Sequence, residues 1–356
     1  MRGSGRLVAV AAIAVMFVGL IAVRAQETRP AATSGPTTQP AANAHPRAAQ
    51  TAAQVYGRSV RIVSLGFRNQ KLEDVVKAVD QEGAKGADLI VLPETWRGSA
   101  AERLAGPATK AMTAMAKKHK TYIVSPIYRE VCGRRINSAI LIDRHGTIVG
   151  IYDKVYPYWS EFDLNPPCKV GHEAPVVETD FGKIGMAICF DVNFPSVWQR
   201  LGDQGAELVV WPSAYSAGTS LQAHAINHHY YVVTATLQGD CLVYDITGEE
   251  ILYQKRAGLN IARITLDLDR GIYHQNFNIG KRDKLLKERA ADVVQEKWME
   301  REQWFVLRAK RKGVSARELA RQYGLEELRD YLDRSRRAID RRRGWEFAEK
   351  TMGNPK

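Results

Sequence analysis

The stretch GKIGMAICFDVNFP, Gly182 to Pro195, decides how the chain is read. Its first half is an apolar, strand-like run. The run ends in Cys189, followed at once by Phe190, Asp191 and a turn closed by Pro195. A nucleophile presented at a strand end needs such a setting, and a buried structural thiol does not. Taken alone, however, a cysteine ending an apolar strand is more often a small core residue. The rest of the chain has to decide.

Two further strand ends bear on the choice. LIVLPET delivers Glu94 and IVGIYDKVYP delivers Lys154, each out of an apolar run where a charge is costly unless paired or facing a cleft. Converging, the three groups would form a working site. The carboxylate would take the thiol proton, the sulfur would attack a carbonyl, and the ammonium would stabilise the oxyanion.

The surrounding pattern alternates. SVRIVSLGF (Ser59 to Phe67) reads as a strand, and KLEDVVKAVDQEGAKG as a helix with Leu72, Val75, Val76 and Val79 on one face. ADLIVLPET is a buried strand ending at Pro93, and a helix follows around Thr109 to Lys118. TYIVSPIYR, NSAILID, IVGIYDKV and FGKIGMAIC are strands, SVWQRLGDQGA a helix, ELVVWPSA a strand and HAINHHY helical. YVVTATL and CLVYDITGEEIL are again strands. Strands separated by helices, with turn-linked pairs among them, predict an α/β class with a mixed sheet.

In order, flanking residues and spacing, LPE, DKVYP and GMAICFD resemble the nitrilase superfamily, the carbon–nitrogen hydrolases with a Glu-Lys-Cys triad. The resemblance covers about Val60 to Gly280. It implies an α-β-β-α sandwich, commonly paired into a homodimer or larger homo-oligomer. It implies Glu94 as general base, Lys154 as the oxyanion-side cation, Cys189 as nucleophile and the Phe190 backbone N–H as second oxyanion donor. Glu161, in YWSEFD, fits a further carboxylate that many members carry on a substrate-side loop. The reaction implied is attack on a small-molecule amide, carbamoyl or ureido C–N bond, loss of the amine, and hydrolysis of a thioester. It requires no metal and no cofactor. Ser196 stands where members often carry an acidic residue after Phe-Pro, which leaves the substrate subgroup open. Trp159, Trp211 and Tyr215, with Tyr158, are candidates for the substrate pocket or for ordinary packing. Two alternatives stay open. One is acyl transfer to an amine acceptor on the same site. The other is a non-catalytic binding or scaffold protein whose basic tail contacts polyanions.

The chain has 356 residues, 45% hydrophobic and 25% charged, an ordinary globular composition with room for a large domain and an extension. Cys132, Cys168, Cys189 and Cys241 are widely spaced without a CxxC pair, against a zinc knuckle or a disulfide-dense scaffold. One disulfide among Cys132, Cys168 and Cys241 stays open. NHHY (Asn227 to Tyr230) reads as polar surface rather than a metal cluster, since adjacent histidines point to different helix faces. The net charge of +12 is uneven: from Lys281 onward, 22 Lys/Arg oppose 14 Asp/Glu. Residues 281–356 read as a basic helical extension in which Ser315 caps a helix and Leu319 faces inward. Its passing likeness to a helix-turn-helix is outweighed by an export signal, so packing or oligomerisation is expected rather than nucleic-acid binding.

That signal lies at the start. Arg2 and Arg6 precede the apolar run Leu7 to Val23, and Val23-Arg24-Ala25 offers small residues to a signal peptidase. Residues 1–25 are read as a signal peptide that would become a membrane anchor only if uncleaved. Residues 26–57 read as a disordered linker poor in large apolar side chains, and 58–280 as the hydrolase domain. A periplasmic or secreted location follows. Protein taken from its native compartment is expected to begin at Gln26 on N-terminal sequencing; retention of Met1 on membrane-bound protein would favour the anchor.

Overall fold

A strand covered on both faces carries apolar residues at consecutive positions. β1 (Ser59–Gly66) does so, with Val60 and Ile62 entering one apolar cluster and Val63 and Leu65 another. The computed structural model describes residues 56–344. The run Leu7 to Val23, its cleavage point and the linker up to residue 55 lie outside the described residues. β2 (Leu89–Val91) and β3 (Tyr122–Val131) continue from β1 in parallel, and β4 (Arg134–Ile142) and β5 (Ile148–Asp153) antiparallel. The two-residue β6 (Cys168–Lys169) also pairs with β4. Their alternate residues obey the same split: Leu89, Val91, Tyr122, Val124, Ala139 and Leu141 face inward. Ile90, Ile123, Ile140 and Ile142 face α1 (Leu72–Ala84) and α2 (Pro107–His119).

The second sheet runs β12-β11-β10-β9-β8-β7. Its strands are β7 (Val176–Thr179), β8 (Gly182–Met186), β9 (Leu208–Ser213), β10 (Tyr231–Thr236), β11 (Asp240–Tyr244) and β12 (Glu250–Lys255). Ile184, Met186, Leu208, Val210 and Val232 join the inward residues of the first sheet in one core. α3 (Pro195–Asp203) and α4 (Thr219–His228) add Val197, Trp198, Leu201, Leu221 and Ala225 to it. β13 (Asn260–Asp267) then returns to the first sheet and lies antiparallel to β1, with Ser59 opposite Asp267. The result is an α-β-β-α sandwich of the nitrilase type.

The region from Lys281 corrects the expectation of a purely helical extension. After β14 (Gly271–His274) and α5 (Ile279–Glu288), the chain forms β15 (Val293–Met299) and β16 (Trp304–Ala309), then α6 (Ala316–Gln322) and α7 (Leu328–Arg342). The small third sheet runs β14-β16-β15. VVQEKWM carries two adjacent charges, Glu296 and Lys297, at a register shift of an edge strand, so composition suggested a helix where pairing with β16 makes a strand. β16 is buried on both faces: Trp304 and Val306 reach the main core, while Phe305, Leu307 and Ala309 join a cluster with Leu285 and Leu319. Ser315 Oγ accepts the Glu318 N–H at 3.0 Å at the start of α6. Glu207 accepts Arg58 Nη1 at 3.1 Å and Arg317 Nη1 at 2.6 Å, fixing this region to the sandwich. Cutting the chain after Lys281 would strip Trp304, Val306 and Leu328 from the main core, at about 1.5–3 kcal/mol each. Such a chain is expected to melt at least 10 °C lower or to aggregate, as read by scanning calorimetry and size exclusion.

Candidate active site

β8 stops at Met186, earlier than the strand expected through Cys189. Ala187 and Ile188 follow in buried positions, and Cys189 begins a 3-10 turn, Cys189–Asn193. Its φ is +47°, a left-handed conformation that non-glycine residues adopt at some cost and that persists only where surroundings impose it. Here they do. Trp211 Nε1 donates to the Cys189 carbonyl at 3.0 Å, and Trp198 Nε1 donates to the Asp191 carbonyl at 3.0 Å. The Asp191 carboxylate accepts the Ile188 N–H at 2.8 Å. Phe190 lies in the first turn, where a backbone N–H has no acceptor within the helix.

Across from this turn, Lys154 just beyond β5 is 1% exposed. Its Nζ donates to Glu94 Oε1 at 2.8 Å and to Glu161 Oε2 at 2.7 Å. Glu94 follows β2 and Pro93, and Glu161 sits on the 3-10 turn Trp159–Asp163. Asn137, on β4, bridges the same two carboxylates: Nδ2 donates to Glu94 Oε1 at 2.7 Å and to Glu161 Oε1 at 2.8 Å. Tyr128 OH donates to Glu161 Oε1 at 3.2 Å, the Tyr158 N–H to Glu161 Oε2 at 2.8 Å, and the Ala214 N–H to Glu94 Oε2 at 2.7 Å. Each carboxylate is thus held by donors from separate strands and loops.

Burial alone would lower the Lys154 ammonium, but Glu94, Cys189 and Glu161 outweigh it and hold it well above the ordinary lysine range. Burial and the Glu94 charge push the Cys189 thiol up to about 12, against the pull of Lys154 and of donors at Ala214 and Ser213. Burial and the neighbouring carboxylate thus favour the protonated form of the sulfur over the thiolate. Lys154 spends two of its three N–H donors on carboxylates and keeps one.

Residues 60–270 match the family model for carbon-nitrogen hydrolases. The chain belongs to this family. It is a carbon–nitrogen hydrolase. It is similar to the omega-amidase NIT2-A of Xenopus laevis, 26% identical over 195 residues, or 48% of this chain and 69% of the relative. It is likewise similar to the deaminated glutathione amidase of Synechocystis sp. (strain PCC 6803 / GT-S), 29% identical over 48% of this chain and 72% of the relative. A carbon-nitrogen hydrolase from Helicobacter pylori G27 shares the fold with TM-score 0.54 and 17% identity, over 60% of this chain and 90% of that one. So does an amidase from Nesterenkonia sp. AN1 with an acetamide moiety added covalently at its active-site cysteine, with TM-score 0.52 and 19% identity, over 61% and 95%.

In this hydrolase Glu94, Lys154 and Glu161 form one hydrogen-bonded cluster, and Cys189 lies near enough for Glu94 and Lys154 to shift its thiol. The aromatic candidates divide. Trp159 is 64% exposed, Tyr158 packs on Phe190 at 5.3 Å, and Tyr215 is half-buried beside Cys189. Trp211, a candidate for the pocket wall, is instead fully buried behind the nucleophile turn. NHHY is only partly surface: Asn227 is exposed, the two histidines half-buried and Tyr230 buried. His228 stacks near Tyr230 at 5.3 Å, His229 is half-buried with Nδ1 3.1 Å from the Ile246 carbonyl, and burial lowers both rings to about 4. All four cysteines are free thiols, so no bridge joins Cys132, Cys168 and Cys241. Among the described residues, no cluster of three or more His, Cys, Asp or Glu side chains is arranged to hold a metal.

Sequence reasoning passed over Asn137, Tyr128 and Asp191. Asn137 carried a usable signal, an amide inside the apolar strand RINSAILI. Gly171 is a further constraint: its N–H donates to the Lys154 carbonyl at 2.8 Å, and a Cβ there would lie 2.0 Å from the Asp153 carbonyl oxygen. Gly171→Ala is expected to displace the end of β5, costing about 1–3 kcal/mol of stability by overpacking and at least tenfold in kcat. Thermal melts and steady-state assays read both.

Proposed function

We propose that this hydrolase cleaves an amide-type C–N bond of a small molecule through a Cys189 thioester. Glu94 takes the thiol proton as the sulfur attacks the carbonyl carbon. The resulting oxyanion receives the remaining Lys154 N–H and the Phe190 N–H. Glu94 gives its proton to the departing amine as the C–N bond breaks and the thioester forms. A water then loses a proton to Glu94 and attacks the thioester; the acid leaves, and the thiol regains its proton. Glu161 acts on Lys154, holding the ammonium where the oxyanion develops. The observation that carries this reading is a buried lysine fixed by two carboxylates, one of which acts on the Cys189 thiol. Relatives named as amidases support the amide class. The apolar run at residues 7–23 supports export of the enzyme.

Cys189→Ala is expected to abolish turnover with little change in melting temperature. Glu94→Gln cannot hold the proton and should lose acylation and deacylation together. Lys154→Arg keeps the charge on a larger planar group and should retain only faint activity. An oxyanion donor is worth about 2.7–4 kcal/mol, so the loss should be at least a hundredfold. Ammonia or amine release over amides, carbamoyl amino acids and nitriles, with single-turnover acyl-enzyme detection, measures all three. Full activity of Cys189→Ala would overturn the assignment. Adding a primary amine and looking for an amide product separates hydrolysis from acyl transfer.

A further inference from the structure

Asp191 is completely buried, and its carboxylate joins two parts of the site. Oδ2 accepts Tyr152 OH at 2.6 Å and the Ile188 N–H at 2.8 Å; Oδ1 accepts the Tyr156 N–H at 2.9 Å. Tyr152 and Tyr156 stand two residues either side of Lys154, and Ile188 immediately precedes Cys189. One carboxylate therefore spans the strand end carrying the cation and the left-handed turn carrying the nucleophile.

We propose that Asp191 is a positioning residue that, when ionised, locks the Cys189 turn in register with Lys154. The inference rests on the acyl-enzyme reading above, for which Lys154 and Cys189 must act on one carbonyl. A carboxylate can accept all three donors, two on one oxygen and one on the other. Protonation turns one oxygen into a donor: on Oδ1 it opposes the Tyr156 N–H, and on Oδ2 it competes with the Ile188 N–H and reverses the Tyr152 bond. The turn then loses one of the partners that impose φ +47° on Cys189.

The groups facing Asp191 come from several elements. From β5 and beyond come Tyr152, Lys154 and Tyr156, with Lys154 favouring the charged form. From α3, Trp198 binds the Asp191 carbonyl and Arg200 acts on Tyr152. From α4, His224 stacks on Trp198 and has Nε2 2.9 Å from the Val192 carbonyl. Burial dominates these influences and pushes the Asp191 carboxyl up to about 6. Two opposed pH trends follow. Activity should rise as Asp191 ionises through pH 6. Stability from this group is full below the unfolded value near 3.8 and is lost as pH rises through 6, because the folded state binds the proton more tightly.

The test is the pH profile of kcat from pH 4.5 to 8. The wild type should show an acid limb near 6 while its melting temperature falls over the same range. Asp191→Asn should lose that limb, with kcat reduced about ten- to a hundredfold by misplacement and KM changed much less. Tyr152→Phe removes a bond that favours the ionised form, so the limb should move to higher pH; this variant carries the test if Asp191→Asn fails to fold. A limb unmoved in Tyr152→Phe and present in Asp191→Asn overturns the proposal, as does a purely stability-linked loss that follows the folded fraction. The alkylation rate of Cys189 by iodoacetamide, located by mass spectrometry, reads the same limb without turnover. An intact limb there with no amide turned over would fail the hydrolase reading and leave the positioning role standing.

Discussion

The site depends on one constraint: an ammonium and two carboxylates sit together where water does not reach. Lys154, Glu94 and Glu161 are at most 6% exposed, so every charge must be met within the protein. The supply is spread widely. Asn137 comes from β4, Tyr128 from β3, the Ala214 N–H from the end of β9 and the Tyr158 N–H from the loop after β5. Losing one partner of a buried pair costs about 3–5 kcal/mol, because the other charge is left uncompensated. The two sheets must therefore meet in one register, since Glu94 receives its donors from both. Packing between the sheets and charge balance in the site are one problem.

The same cluster accounts for the state of the sulfur. The trio carries a net charge of −1, and a second anion at Cys189 would add to it in a dry setting. Burial and this charge balance favour keeping the proton on the sulfur.

Much of the fold was legible because its strands are covered on both sides. Runs such as LIV and LVVWPS have no polar face to disguise them, and Glu94, Lys154 and Cys189 stood out as polar residues at the ends of such runs. The third sheet was not legible for the opposite reason: Glu296 and Lys297 interrupt β15, where Arg270 and Asp245 meet them, and the strand carries no apolar run. Asp191 was quoted in the first motif and still missed. Its partners are two backbone N–H groups and a tyrosine hydroxyl 39 residues away, and nothing in local sequence announces such a bond. Trp211 takes the packing role among its two readings, and aromatic composition near a motif could not decide between them.

β13 also governs the order in which the molecule can be assembled. Arg58 and Asp267, bonded through the Arg58 N–H at 3.0 Å, are 209 residues apart in sequence. During synthesis, β1 emerges long before the strand that flanks it, and until then one of its edges has no partner. The loop that must close is long, and contacts of such separation slow folding and leave strand edges open to wrong pairing. A chain emerging from a ribosome cannot complete its first sheet before Asp267 is made.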